Sequence, residues 1–105
     1  MSKGHGLDLP FIESRVCGVV SGIVGEAVSA GGIYSTRKGS VVLARQYAQY
    51  AFHDIYGLSY RIIAERSGVT ESAVMRAVGK VRVQRFVDAV VRRIDVEYRR
   101  LVYGK

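Results

Sequence analysis

Apolar residues recur at Ile12, Val16, Val19, Val20, Ile23, Val24, Ala27 and Val28, a spacing that gathers them on one side of a helix. Asp8 and Pro10 together make a helix start, an acceptor followed by a residue that has no donor to lose. Gly31 and Gly32 are expected to end this first helix. A second series, Val41, Leu43, Ala44, Tyr47, Ala48, Ala51, Phe52 and Ile55, predicts a helix over 41–56 that Gly57 stops. Ser59 caps a short third helix running to Arg66. Gly68 turns the chain, and Thr70 caps a fourth helix carrying Glu71, Val74, Met75 and Val78. Gly79 is read as a bend or break before a last helix. That helix is expected to present Phe86, Val87, Val90, Ile94, Tyr98 and Leu101 on one side, with Arg85, Arg92, Arg93, Arg99 and Arg100 largely elsewhere. Nothing reads as a strand pair with a turn. The expected fold is all-α, a compact bundle of about five helices in a single domain over 1–105, with 1–8 frayed.

Composition supports a packed domain. The chain has 105 residues, 49% apolar and 24% charged, too hydrophobic for a disordered segment and too short for two cores. The single cysteine, Cys17, excludes an intramolecular disulfide and lies among valines. It is read as a small buried hydrophobe, with a reactive thiol as the alternative. His5 and His53 stand apart without cysteine partners, so no metal site is expected. No run reaches the length of a membrane span, and no signal-peptide pattern opens the chain. The expected setting is cytoplasmic, with no membrane partner and no cofactor.

Charge narrows the partner. The net charge is +7. Residues 1–36 hold two basic side chains, Lys3 and Arg15, against three acidic ones, Asp8, Glu13 and Glu26. Residues 37–105 hold fourteen basic against six acidic. A cationic excess confined to the last two-thirds is the footprint of a nucleic-acid binder, although a solvated surface or a contact for an acidic protein carries the same charge.

Two features invite a sharper reading. Gly18, Gly22 and Gly25, with Ser14, Ser21 and Ser29, make rows of small residues along the first helix. These suit close packing inside the monomer, or a homodimer through that helix. The segment Arg37-Lys38-Gly39-Ser40 has a superficial likeness to a phosphate loop, but its lysine precedes the glycine and no strand leads in. Nucleotide binding is therefore not expected.

The stretch 63–74 carries the functional argument. A helix-turn-helix needs a small residue where its helices cross, met by Ala64, and a turn residue tolerant of positive φ, met by Gly68. It needs an apolar residue on the second helix facing back, met by Val74, and Val69 is expected to bury the turn. An ordinary αα-turn would satisfy the same residues. In a helix-turn-helix the start of the second helix enters the major groove, which nominates Thr70, Glu71, Ser72, Met75 and Arg76. Arg76 suits guanine or phosphate, and Ser72 suits base edges or phosphate. Glu71 suits cytosine N4 or simply the helix dipole. Lys80, Arg82 and Arg85 would extend the basic surface.

The order of these pieces, over about residues 12–102, resembles domain IV of the bacterial replication initiator DnaA. The matching parts are the basic loop Ser35-Thr36-Arg37-Lys38-Gly39-Ser40, then Val42-Leu43-Ala44-Arg45-Gln46-Tyr47-Ala48, then Leu58-Ser59-Tyr60-Arg61-Ile62-Ile63. The resemblance implies that Arg45 enters the minor groove and that Arg37 and Lys38 hold phosphates. A surface arginine, or one in an intramolecular ion pair, is the alternative for Arg45. The family's Asp-His-Thr-Thr type signature is replaced here by Thr70-Glu71-Ser72-Ala73, so its sequence preference does not carry over. The family's ATPase domain has no counterpart. The resemblance therefore implies a stand-alone module binding double-stranded DNA, a regulator or an accessory of replication or of a mobile element. Two other classes stay open: a protein-interaction module using the first helix and the seven tyrosines, and structured-RNA binding through exposed aromatics. An enzyme is not expected, because His53 and Asp54 point apart and no nucleophile or acid–base pair is assembled.

Overall fold

Asp8 opens the first helix as its spacing to Pro10 requires. Its Oδ1 accepts from the Phe11 N–H at 3.1 Å, and α1 runs Leu9–Val24. A computed structural model of the chain describes residues 6–104. The expected fraying of 1–8 therefore falls mostly outside the described residues, as does His5. α1 ends earlier than the apolar period suggested. Gly25 adopts φ 77° and its N–H bonds Ser21 O at 3.0 Å, and the Ser21 hydroxyl then accepts from Val28 N–H at 2.9 Å. The chain thus doubles back at a left-handed glycine while Ala27 and Val28 are still in phase with the helix. A 3-10 turn, Ala30–Gly32, follows under a Ser29 cap.

α2 spans Gly39–Tyr50 and continues as a π-helical turn, Ala51–Ile55. α3, Tyr60–Ser67, is capped by Ser59, whose hydroxyl accepts from Ile62 N–H at 3.2 Å, and closes on Gly68 at φ 71°. α4 spans Glu71–Val87, with the Thr70 hydroxyl accepting from Ala73 N–H at 3.1 Å. It passes through Gly79 without a break. Buried Val78 and Val81 hold both neighbouring turns on the core, which outweighs the roughly 1 kcal/mol penalty of a helical glycine. The chain breaks instead at Asp88, which ends α4 and caps α5, Ala89–Tyr103, by accepting from Val90 and Val91 N–H at 2.9 and 3.1 Å. That break moves Phe86 and Val87 onto α4 and resets the register of α5. The buried face is Val91, Ile94, Asp95 and Tyr98. Phe86, Val87, Val90 and Leu101 are exposed, contrary to the expected face.

The described residues thus form an all-α bundle of five α-helices with no strand. Contacts close a ring α1–α2–α4–α5, and α3 docks on α4. The core joins Val16 and Val20 of α1, Tyr47 and Phe52 of the second helical segment, Ile63, Val74, Val78, Val81, Ile94 and Tyr98. Cys17 is buried within it, and burial together with nearby Glu13 pushes its thiol pKa up, which disfavours the reactive thiolate. No described helix is long and apolar enough to cross a membrane.

Two buried carboxylates tie the elements together. Glu13, 3% exposed, accepts from Arg66 Nε and Nη2 at 2.9 and 2.6 Å and from the Tyr34 hydroxyl, linking α1, the loop before α2, and α3. Asp95 accepts from the Tyr47 hydroxyl at 2.8 Å, Arg85 at 3.1 Å and Arg99 at 2.9 Å, linking α2, α4 and α5. A third clamp joins Arg82 of α4 to Asp54 on the π turn through two 2.8 Å bonds. The Arg82 guanidinium holds the Asp54 carboxyl below the usual carboxylate range. A depressed folded-state pKa gives stability that is present above the unfolded-state value and lost as pH falls through the folded one. Acid titration of Arg82→Gln is therefore expected to show a shallower loss of stability at the acid end than the parent chain, measured by denaturant midpoints across pH.

Candidate nucleic-acid interface

The loop before α2 is shaped by side chains on both flanks. Ile33 is buried, Tyr34 reaches Glu13, and Arg45 Nη1 donates to Ile33 O at 3.2 Å and to Thr36 O at 3.1 Å. Arg45 therefore holds the loop from α2 through two backbone carbonyls rather than through an ion pair, and it also lines the recess beside that loop. Gln49 donates to the Ser67 hydroxyl at 3.0 Å, which locks α3 to α2 at the same end.

Between this loop, α2 and α4 lies a recess of about 430 Å³ lined by Tyr34, Thr36, Arg37, Arg45, Gln46, Gln49, Val69, Ala73 and Ala77. Gln46 also borders a second recess of about 310 Å³, with Gly39, Leu43, Lys80, Gln84 and Val90. The two form a strip along one side of α4. Ala73, Arg76 and Lys80 stand at i, i+3 and i+7 and so share that side. Arg37, Lys38, Arg76 and Lys80 are all exposed, and among the described residues none has an ionic partner. Other cations are engaged: Arg66 on Glu13, Arg82 on Asp54, Arg85 and Arg99 on Asp95. Arg82 and Arg85 therefore do not extend the free basic surface, because their charges are neutralised by carboxylates.

The other nominated residues divide. Thr70 is exposed with its hydroxyl committed to the cap, and Ser72 is exposed in the first turn of α4. Glu71 also lies in the first turn, where the helix dipole favours it. Met75 is 51% exposed, but at about 100° per residue it sits on the flank of α4 with Glu71 and Arg82, turned away from Lys80. Val69 does not bury the turn. It is exposed and lines the recess, because Ala64 and Val74 already fill the α3–α4 contact.

Sequence reasoning missed Tyr34, Gln46 and Ala77 in the strip, and it missed Glu13 as the anchor of the loop. Glu13 had a signal. It lies four residues before Cys17 and seven before Val20, on an otherwise apolar stripe. The tyrosines give little support to stacking. Tyr47, Tyr50 and Tyr98 are buried, and Tyr103 alone among the described tyrosines is exposed. His53 stacks on Tyr60 and donates Nδ1–H to Leu58 O at 2.7 Å, while Asp54 faces Arg82. No family model, curated protein or solved structure matches this chain.

Proposed function

We propose that the chain is a double-stranded DNA-binding module without ATPase activity, in which α3 and α4 act as a helix-turn-helix. The reading rests on one observation above the rest: Arg37 and Lys80 line the two recesses, Lys38 follows Arg37 in the loop, Arg76 shares the Lys80 side of α4, and all four are exposed and without carboxylate partners among the described residues. Cations left unneutralised in a row are what a phosphate backbone requires. Ser72, Ala73 and Arg76 then face the groove, where alanine suits a thymine methyl and arginine suits guanine. Thr70, Glu71 and Met75 flank that contact. Arg45 positions the loop so that Arg37 and Lys38 reach phosphates on the adjoining backbone. This assignment keeps the phosphate contacts that the resemblance to DnaA domain IV implies for Arg37 and Lys38, departs from it at Arg45, which holds the loop rather than entering the minor groove, and suits a role as a regulator or accessory of replication or of a mobile element.

Fluorescence anisotropy with random-sequence duplex DNA over a salt series tests the reading. If all four cations meet phosphates, log K falls against log salt with a slope of about −3 to −4. An RNA duplex of equal length is expected to bind more weakly. Absence of DNA binding at low salt removes the proposal, and tighter binding to RNA replaces it with the structured-RNA reading.

A further inference from the structure

We propose that α1, with the groove it forms against α5, is the contact surface for a second copy of this chain. Gly18 and Gly22 stand on the outer face of α1 in open space, where an added Cβ would meet nothing within 4 Å. Packing inside the monomer, the first explanation for these glycines, does not use them, although each weakens the helix relative to alanine. They line a groove of about 290 Å³ with Arg93, Glu97 and Leu101 of α5.

Two further observations identify the occupant. First, Phe11, Arg15, Gly18 and Gly22 follow at spacings of four, three and four, the register of a helix–helix seam. Reversed about a point between Arg15 and Gly18, the series matches itself. Phe11, 53% exposed on the same helix, then falls opposite the residue with no side chain, Gly22. A ring and its receiving space on one helix, related by reversal, make a two-fold surface that only another copy completes. Second, the rim is self-complementary in charge. Arg93, exposed and without an ionic partner among the described residues, lies one turn from Glu97, whose carboxylate is held only by a solvent-exposed pair with Arg100 at 3.0 Å, so a two-fold brings each unpaired cation toward a carboxylate of the other copy that is open to a second partner. Charge elsewhere disfavours self-association. The cationic excess belongs to residues 37–105, and residues 1–36 are close to neutral, so α1 is where two copies repel least.

Sedimentation equilibrium of the full chain without DNA tests this independently of the DNA reading. The expected result is reversible association from 11.6 kDa toward twice that mass between low micromolar and near-millimolar concentration. Gly22→Leu has room to fold in the monomer and is expected to raise the dimer dissociation constant about tenfold or more by filling the space Phe11 needs. Arg93→Glu should weaken the dimer, and Arg93→Glu with Glu97→Arg should restore it. A monomer at every concentration overturns the proposal, and so does a dimer that Gly22→Leu or Arg93→Glu leaves unchanged.

Discussion

Replacing Arg76 and Lys80 together by alanine is expected to weaken duplex DNA binding roughly 30- to 1,000-fold, corresponding to about 2–4 kcal/mol. The two side chains lie four residues apart on the exposed side of α4 and have no carboxylate partner among the described residues, so their removal leaves no described carboxylate unpaired. The folded state should be unchanged, and the effect falls on the complex. The salt slope should flatten by about two if both reach phosphates, or by about one if Arg76 reads a base instead. That difference separates a positioning contact from a reading contact. Arg82→Ala supplies the contrast. Its charge is already held by Asp54, so it should lower stability while leaving the slope nearly unchanged. If Arg82→Ala and the double substitution weaken binding equally, the strip along α4 is not the interface and total charge alone governs association.

The sequence made the local chemistry of this chain legible and left its long-range pairing hidden. Ser59, Thr70 and Gly68 could be read because each acts on backbone within a turn of itself, and the structure uses each as its residue type requires. Gly25 could not be ranked above Gly31 or Gly79 as a stop, because apolar spacing is blind to which glycine turns left-handed. Asp88 was missed for a related reason. An acceptor between two apolar runs reads as an interruption until Val90 and Val91 are seen to donate to it. The site was legible in part. The basic residues could be counted, but which of them remain free depends on Glu13 meeting Arg66 across 53 positions and on Asp54 meeting Arg82 across 28. The free cations emerge only after the fold has claimed the others.

Asp95→Ala is expected to lower stability by about 3 kcal/mol, and the melting temperature by roughly 12–25 °C for a domain of this size. Asp95 is 6% exposed and, among the described residues, is the sole carboxylate paired with Arg85 and Arg99. Its removal strips the Tyr47 hydroxyl of its acceptor and leaves two guanidinium groups facing a vacated, largely buried space. Those arginines are 27% and 31% exposed in their side chains, so both can turn toward water. That relief places the cost at the lower end of the range for breaking a buried ion pair. Asp95→Asn should cost about half as much, because the amide oxygen still accepts from Tyr47 while the charge is lost. Glu65→Ala is the internal reference, since its pairing with Arg61 is solvent-exposed and worth less than about 0.5 kcal/mol. Thermal unfolding of the three variants separates a buried three-way clamp from ordinary surface pairing. If Asp95→Ala melts within a few degrees of Glu65→Ala, α2, α4 and α5 are held by apolar packing alone, and the register of α5 set at Asp88 does not depend on the clamp.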